Sequence, residues 1–223
     1  MNITTITKKK SQYPTTNGSN NFQSPVLINK GFERDSYILP SQEGESNSNR
    51  FDIHNRGKVA IFIDGANLFY AALQLGIDID YKKLLSCLTK NAKLLRAFFY
   101  TGVDPSNEKQ QGFLLWMRRN GYRVVTKDLQ LFADGSKKAN LHVEIAVDMM
   151  TLASHYNTAV LISGDGELAY AANAISYKGV RLEIASLRSM TSHNLIDVAD
   201  CFIDLEEIKH QIQKDSSEEL VNS

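Results

Sequence analysis

The chain has 223 residues, 43% of them hydrophobic, which suffices for one packed domain with polar extensions. Its 25 Lys+Arg balance 25 Asp+Glu, so no global positive field marks it for nucleic acid, although a local basic patch stays open. No apolar run approaches the roughly 20 residues of a membrane helix, and no signal-peptide layout opens the chain. Cys87 and Cys201 lack disulfide-framework or metal spacing. The expectation is a soluble, cytoplasmic protein with two small buried thiols and no membrane partner.

Residues 1–55 are rich in Ser, Asn, Gln and Thr and carry Pro14, Pro25 and Pro40 without sustained periodicity. Such a segment buries too little apolar surface to offset chain entropy, so a disordered tail is expected. Within it, Pro25-Val26-Leu27-Ile28 and Tyr37-Ile38-Leu39 are either stray hydrophobes of a solvated linker or docking points for a protein partner. From 56 to 214 short apolar runs alternate with amphipathic, helix-length segments, the pattern of βα units around a mostly parallel sheet. The predicted strands are 59–63, 94–100, 123–126, 159–162 and 181–185, with 201–204 as a sixth. The predicted helices are 68–75, 81–89, 108–120, 141–155, 168–177, 192–199 and 206–213. Gly121 and Gly179 each end a helix before a strand, where a left-handed residue costs glycine little. Residues 215–223 form an expected flexible C-terminal tail.

In open α/β sheets, sites form outside the carboxyl ends of the strands. Asp64 ends the first strand, in IFIDGANLF, and Asp165 follows the fourth, in AVLISGDGEL. If those strands are neighbours, the two carboxylates converge, and joint ionisation is unfavourable without a cation or a shared proton. That points to a divalent ion such as Mg²⁺, which takes oxygen ligands and activates water toward a phosphodiester. Each acid has a plainer role open to it, since Asp64 and Asp165 are also favoured N-caps and Glu167 suits a helix dipole. The segment 140–150 places Glu144 and Asp148 on one helix face. Just upstream, Lys137 and Lys138 with Asn140 form a local basic patch, suited to an RNA backbone or simply to a charged surface loop.

In order along the chain, IFIDGANLF, KKANLHVEIAVDMM, AVLISGDGEL and SMTSHNLIDVADCFIDL resemble the NYN domain of the LabA-like (DUF88) family, related to PIN-type ribonucleases. The resemblance spans roughly residues 58–205. It implies a Rossmann-like, PIN-like three-layer α/β sandwich and an acid cluster that holds Mg²⁺ or Mn²⁺ for RNA hydrolysis. Position by position, Asp64 matches the first metal-binding Asp, Asn67 its companion amide, and Asp165 the Asp of the SGD motif. Glu167 stands where a second Asp is usual. His142 stands where the helix motif normally has an acid, and Asp148 matches the later Asp of that motif. A neutral His142 would remove a negative charge from the cluster, weaken Mg²⁺ binding and favour Mn²⁺. Asp148 lies six residues, about 9 Å, farther along the helix, too far to replace the missing ligand.

The leading expectation is therefore a divalent-metal-dependent ribonuclease acting on single-stranded RNA. Asp64, Asp165 and Glu167 hold the ion, Asn67 orients the phosphate, and His142, Asp148 and Ser163 support the site. Lys137 and Lys138 contact RNA. The rival is a non-catalytic RNA-binding or regulatory module whose metal site decayed at His142, in keeping with the link between LabA-like proteins and gene regulation in cyanobacteria. A phosphatase of another Rossmann-like type is weaker, because no DxD pair follows the first strand. Homo-oligomerisation is left open.

Overall fold

The computed structural model describes residues 56–133 and 135–215, all within one unit, Asn49–Ser223. The predicted tails at 1–55 and 216–223 lie outside the described residues. The polar C-terminal end thus contributes only Asp215, whose carboxylate meets Lys83 at 2.8 Å.

The chain opens with β1 (Lys58–Asp64), whose five central residues are all buried. Burial on both faces makes this the middle of the sheet: Val59, Ile61 and Ile63 enter one core, while Ala60 and Phe62 enter the other. Next come α1 (Gly65–Leu75), α2 (Tyr81–Thr89), β2 (Lys93–Val103), α3 (Glu108–Arg119) and β3 (Tyr122–Asp128). A short antiparallel pair, β4 (Gln130–Leu131) and β5 (Lys137–Lys138), precedes α4 (His142–Leu152) and β6 (Thr158–Ile162). A 3-10 turn at Gly166–Leu168 leads into α5 (Ala169–Ser176) and β7 (Arg181–Ser186). The chain closes with α6 (His193–Asp197), β8 (Cys201–Asp204) and α7 (Leu205–Ile212).

The six long strands lie in the order β3-β2-β1-β6-β7-β8, and every pair is parallel. Leu68, Leu84, Leu114 and Ile208 carry α1, α2, α3 and α7 onto one face; Ile145, Ala172 and Leu195 carry α4, α5 and α6 onto the other. This is the expected three-layer α/β sandwich. Successive strands move outward from β1 to β3, then resume on its other side at β6. The connections diverge there, and a crevice opens above the carboxyl ends of β1 and β6. Register places Ile63 beside Ile162, so the chain leaves both strands at the same level.

Two glycines permit close approach at these exits. A Cβ on Gly65 would lie 2.8 Å from the Tyr100 carbonyl oxygen, and one on Gly164 would lie 2.3 Å from that of Met190. Gly121 and Gly179 take the positive φ expected of them, 92° and 78°. The thiols depart from expectation, since Cys87 and Cys201 are half-buried rather than buried, and both are free. No helix among the described residues is long and apolar enough to cross a membrane.

At the far end of the sheet a buried ion pair ties the start of the domain to β7. The Arg56 guanidinium donates to both Glu183 oxygens, at 3.1 and 2.7 Å, and to the Leu88 carbonyl at 2.8 Å. Arg181 also donates to Glu183, at 2.9 Å. Removing one partner of such a pair leaves an uncompensated buried charge. Glu183→Ala should therefore cost about 3–5 kcal/mol of stability, read from the urea midpoint; a loss under about 1 kcal/mol would contradict this assignment.

Candidate metal and RNA site

The site grows from two strand-to-helix exits. Asp64 adopts extended backbone at the end of β1, and its Oδ1 accepts from the Ala66 and Asn67 amides at 3.1 and 3.2 Å. Asp165 repeats the device after β6, with Oδ1 accepting from the Glu167 amide at 2.9 Å. The cap roles that the sequence leaves open are thus both filled, yet each cap uses only one oxygen. The Oδ2 atoms of Asp64 and Asp165 turn into the crevice, where both face one nitrogen, His142 Nε2, at 3.7 and 3.6 Å. Asp80 and Asp204 cap α2 and α7 in the same way but take no part in this cluster. An Asp cap alone therefore marks nothing; convergence of the second oxygens does.

Ser163, fully buried, joins the two exits. Its hydroxyl donates to Asp64 Oδ2 at 3.2 Å and accepts from the Asp165 amide at 3.2 Å. His142 begins α4, and its Nδ1 meets Glu167 Oε2 at 2.8 Å. Asn140 braces this contact twice over: its Oδ1 accepts from the His142 amide at 2.8 Å and its Nδ2 donates to Glu167 Oε2 at 3.3 Å. The imidazole thus stands among three carboxylates from two chain segments, the β1 exit and the β6 exit. They push its pKa up to about 9, Asp64 most strongly, with partial burial opposing and Glu167 and Asp165 adding to the rise. Glu167, which is exposed, is held below the usual carboxylate range by His142 and Asn140.

The neutral imidazole expected of a metal ligand is thus not the form that these acids favour in the metal-free cluster. Without a bound metal the surrounding acids favour the imidazolium form of His142, a positive charge that the chain itself supplies.

The donor set also suits a divalent ion. One ligand atom from each of His142, Asp165 and Glu167 lies within 4.8 Å of the others. Asn67 Oδ1 is buried without a hydrogen-bond partner among the described residues, a free acceptor beside Asp64. A mixed imidazole and carboxylate set fits Mn²⁺ better than Mg²⁺ and requires the ring to be deprotonated.

The remaining predicted site residues have other partners. Asp148 accepts from the Tyr100 hydroxyl at 2.8 Å, away from the cluster. Burial of the ring, with the Asp148 charge adding to it, pushes the Tyr100 pKa up. Glu144 pairs with Lys127 at 2.8 Å. Lys137 is bound to Asp104 at 2.7 Å, which holds the Asp104 carboxyl down at about 2. Lys138 has no ion partner among the described residues and lines, with Asp64, Asn67 and His142, a groove of about 810 Å³. The two lysines belong to β5 rather than to a loop. In the sequence Asn140 stands only as part of a basic patch; its bracing of Glu167 shows only in three dimensions.

The sequence pattern of the family described as NYN domain matches residues 58–206. A curated relative, "Low amplitude and bright protein LabA" of Synechococcus elongatus, is 35% identical over 166 residues, covering 70% of this chain and 88% of its own length. A crystal structure of a protein of unknown function from Vibrio parahaemolyticus superposes with a TM-score of 0.62 at 25% identity, covering 70% of this chain and 96% of that one.

Raised above the unfolded-state value of 6.5, the imidazolium contributes stability that is fully present below pH 6.5 and lost as pH rises through about 9. A histidine-selective NMR titration in EDTA should place the His142 midpoint near 9 and shift it downward in Asp64→Asn. A midpoint near 6.5 in the natural protein would contradict the geometry of the cluster.

Proposed function

The chain belongs to the NYN domain family, and on that premise we propose that it is an RNA-binding regulatory module whose metal site is weakened by His142. The observation that carries this reading is the imidazole ring itself, set among Glu167, Asp165 and Asp64 at 2.8, 3.6 and 3.7 Å, where an ion would otherwise sit. The groove beside it presents Lys138 to a phosphate backbone and the rings of Phe69 and Tyr70, both more than half exposed, to unpaired bases. RNA bound there meets a cluster whose carboxylates are already compensated, so binding proceeds without an ion.

A second reading, a divalent-metal-dependent ribonuclease, is favoured by the spacing of the His142, Asp165 and Glu167 donors. In that reading these residues and Asp64 hold Mn²⁺ or Mg²⁺, which supplies Lewis acidity toward the phosphodiester and an activated water. Asn67 orients the phosphate through its unpaired acceptor, Ser163 fixes Asp64 and Asp165 in register, and Lys138 steadies the backbone. His142 must first give up its proton.

The two readings separate on one substitution. The natural protein should bind single-stranded RNA equally well in EDTA and in Mn²⁺, with little cleavage at neutral pH. His142→Asp should bind Mn²⁺ at least about tenfold more tightly, or ~1.4 kcal/mol, and gain cleavage. Brisk Mn²⁺-dependent cleavage by the natural protein, abolished in Asp64→Asn, would replace the module with the nuclease.

A further inference from the structure

Six of the seven described arginines fall into two groups. Arg56, Arg181 and Arg188 each have a carboxylate nearby, at 2.7, 2.9 and 3.7 Å. Arg96, Arg118 and Arg123 have none among the described residues, yet all three border one cavity of about 340 Å³. It lies toward the amino-terminal end of the sheet, opposite the acid cluster. Arg123 on β3 pairs in register with Phe98 on β2, and Arg96 lies two residues before Phe98, so both arginines stand on one face of the sheet. Gly121, at φ 92°, turns the chain from α3 into β3 and brings Arg118 to the same rim. A second hollow of about 300 Å³ shares Arg96 and Arg123 and adds His155.

Neither hollow is lined by a carboxylate. That segregation occurs in a chain whose Lys+Arg and Asp+Glu are equal in number. The negative end of α3 accounts for a basic residue at Arg118, but not for Arg96 and Arg123, which stand on strands. Like charges brought together without acids are relieved by a mobile anion. Guanidinium groups match phosphate oxygens in paired, planar hydrogen bonds. Of the rings that border the two hollows, Tyr122 and Phe98 are buried and His155 is exposed. The three guanidinium groups suit phosphate, as a nucleic-acid backbone presents it.

We propose that Arg96, Arg118 and Arg123 form a second phosphate-binding site, remote from the acid cluster, whose occupant is the backbone of an RNA strand. The RNA source of that phosphate rests on the proposed function; the phosphate chemistry does not.

The test uses the full chain in EDTA, with labelled oligouridine followed by fluorescence anisotropy across a salt series and pyrophosphate followed by calorimetry. The triple variant Arg96→Gln/Arg118→Gln/Arg123→Gln should lose about tenfold or more in RNA affinity, with the salt slope reduced by about 2, as expected for three lost single-strand phosphate contacts. Arg119→Gln, one residue from Arg118 and outside both hollows, should behave as the natural protein does. Thermal melts confirm that the variants remain folded. RNA binding and salt slope unchanged in the triple variant would overturn the RNA assignment. If the natural protein binds no RNA, pyrophosphate decides: binding that is lost in the triple variant keeps the phosphate site and removes the RNA reading, and no binding overturns the site.

Discussion

Three carboxylates meet above the switch point of this sheet, and the His142 imidazole stands among them, its protonated form favoured by their charge. Parallel pairing of β1 and β6 ends both strands at one level, and each exit is held by an Asp that spends one oxygen on its helix cap. The second oxygens then have nowhere to point but the crevice. Their mutual repulsion is a direct consequence of the topology. His142 answers it from α4, seated by Ile145 and Met149 in the core beneath.

The same arrangement explains why stability and metal affinity are in tension. A histidine at this place makes the metal-free fold self-sufficient, since the imidazolium satisfies Glu167 directly and offsets Asp64 and Asp165. A divalent ion using the same oxygens must displace that proton first. An acid in place of His142 would reverse the balance, leaving more negative charge and a stronger demand for an ion. Fold and function thus turn on one residue type at the start of one helix.

Much of the architecture is legible in the sequence because central parallel strands are buried on both faces and read as unbroken apolar runs. β1 and β6 show this, and β8 has the bounds that periodicity assigns it. The β4–β5 hairpin is not legible. Its strands are two exposed residues each, too short to show any period, and their exposure matches a loop. At the other extreme, β2 runs three residues past its apolar stretch because Thr101, Gly102 and Val103 find partners on β3, a pairing that no local pattern announces. In the site, the strand-end positions of Asp64 and Asp165 follow from chain pattern. The contact of His142 with Glu167, braced by Asn140, joins residues 25 apart across α4 and β6. The charge on His142 is hidden for the same reason, since it depends on acids from separate segments.

The central claim is that an ion and a proton compete for one place. Calorimetric titration of the natural protein with Mn²⁺ at pH 7, in buffers of different ionisation enthalpy, counts the protons released. The account predicts about one proton per bound ion, supplied by the His142 imidazolium. Binding with no proton release would show that the ring is already neutral, and the cluster would then need another explanation for its stability.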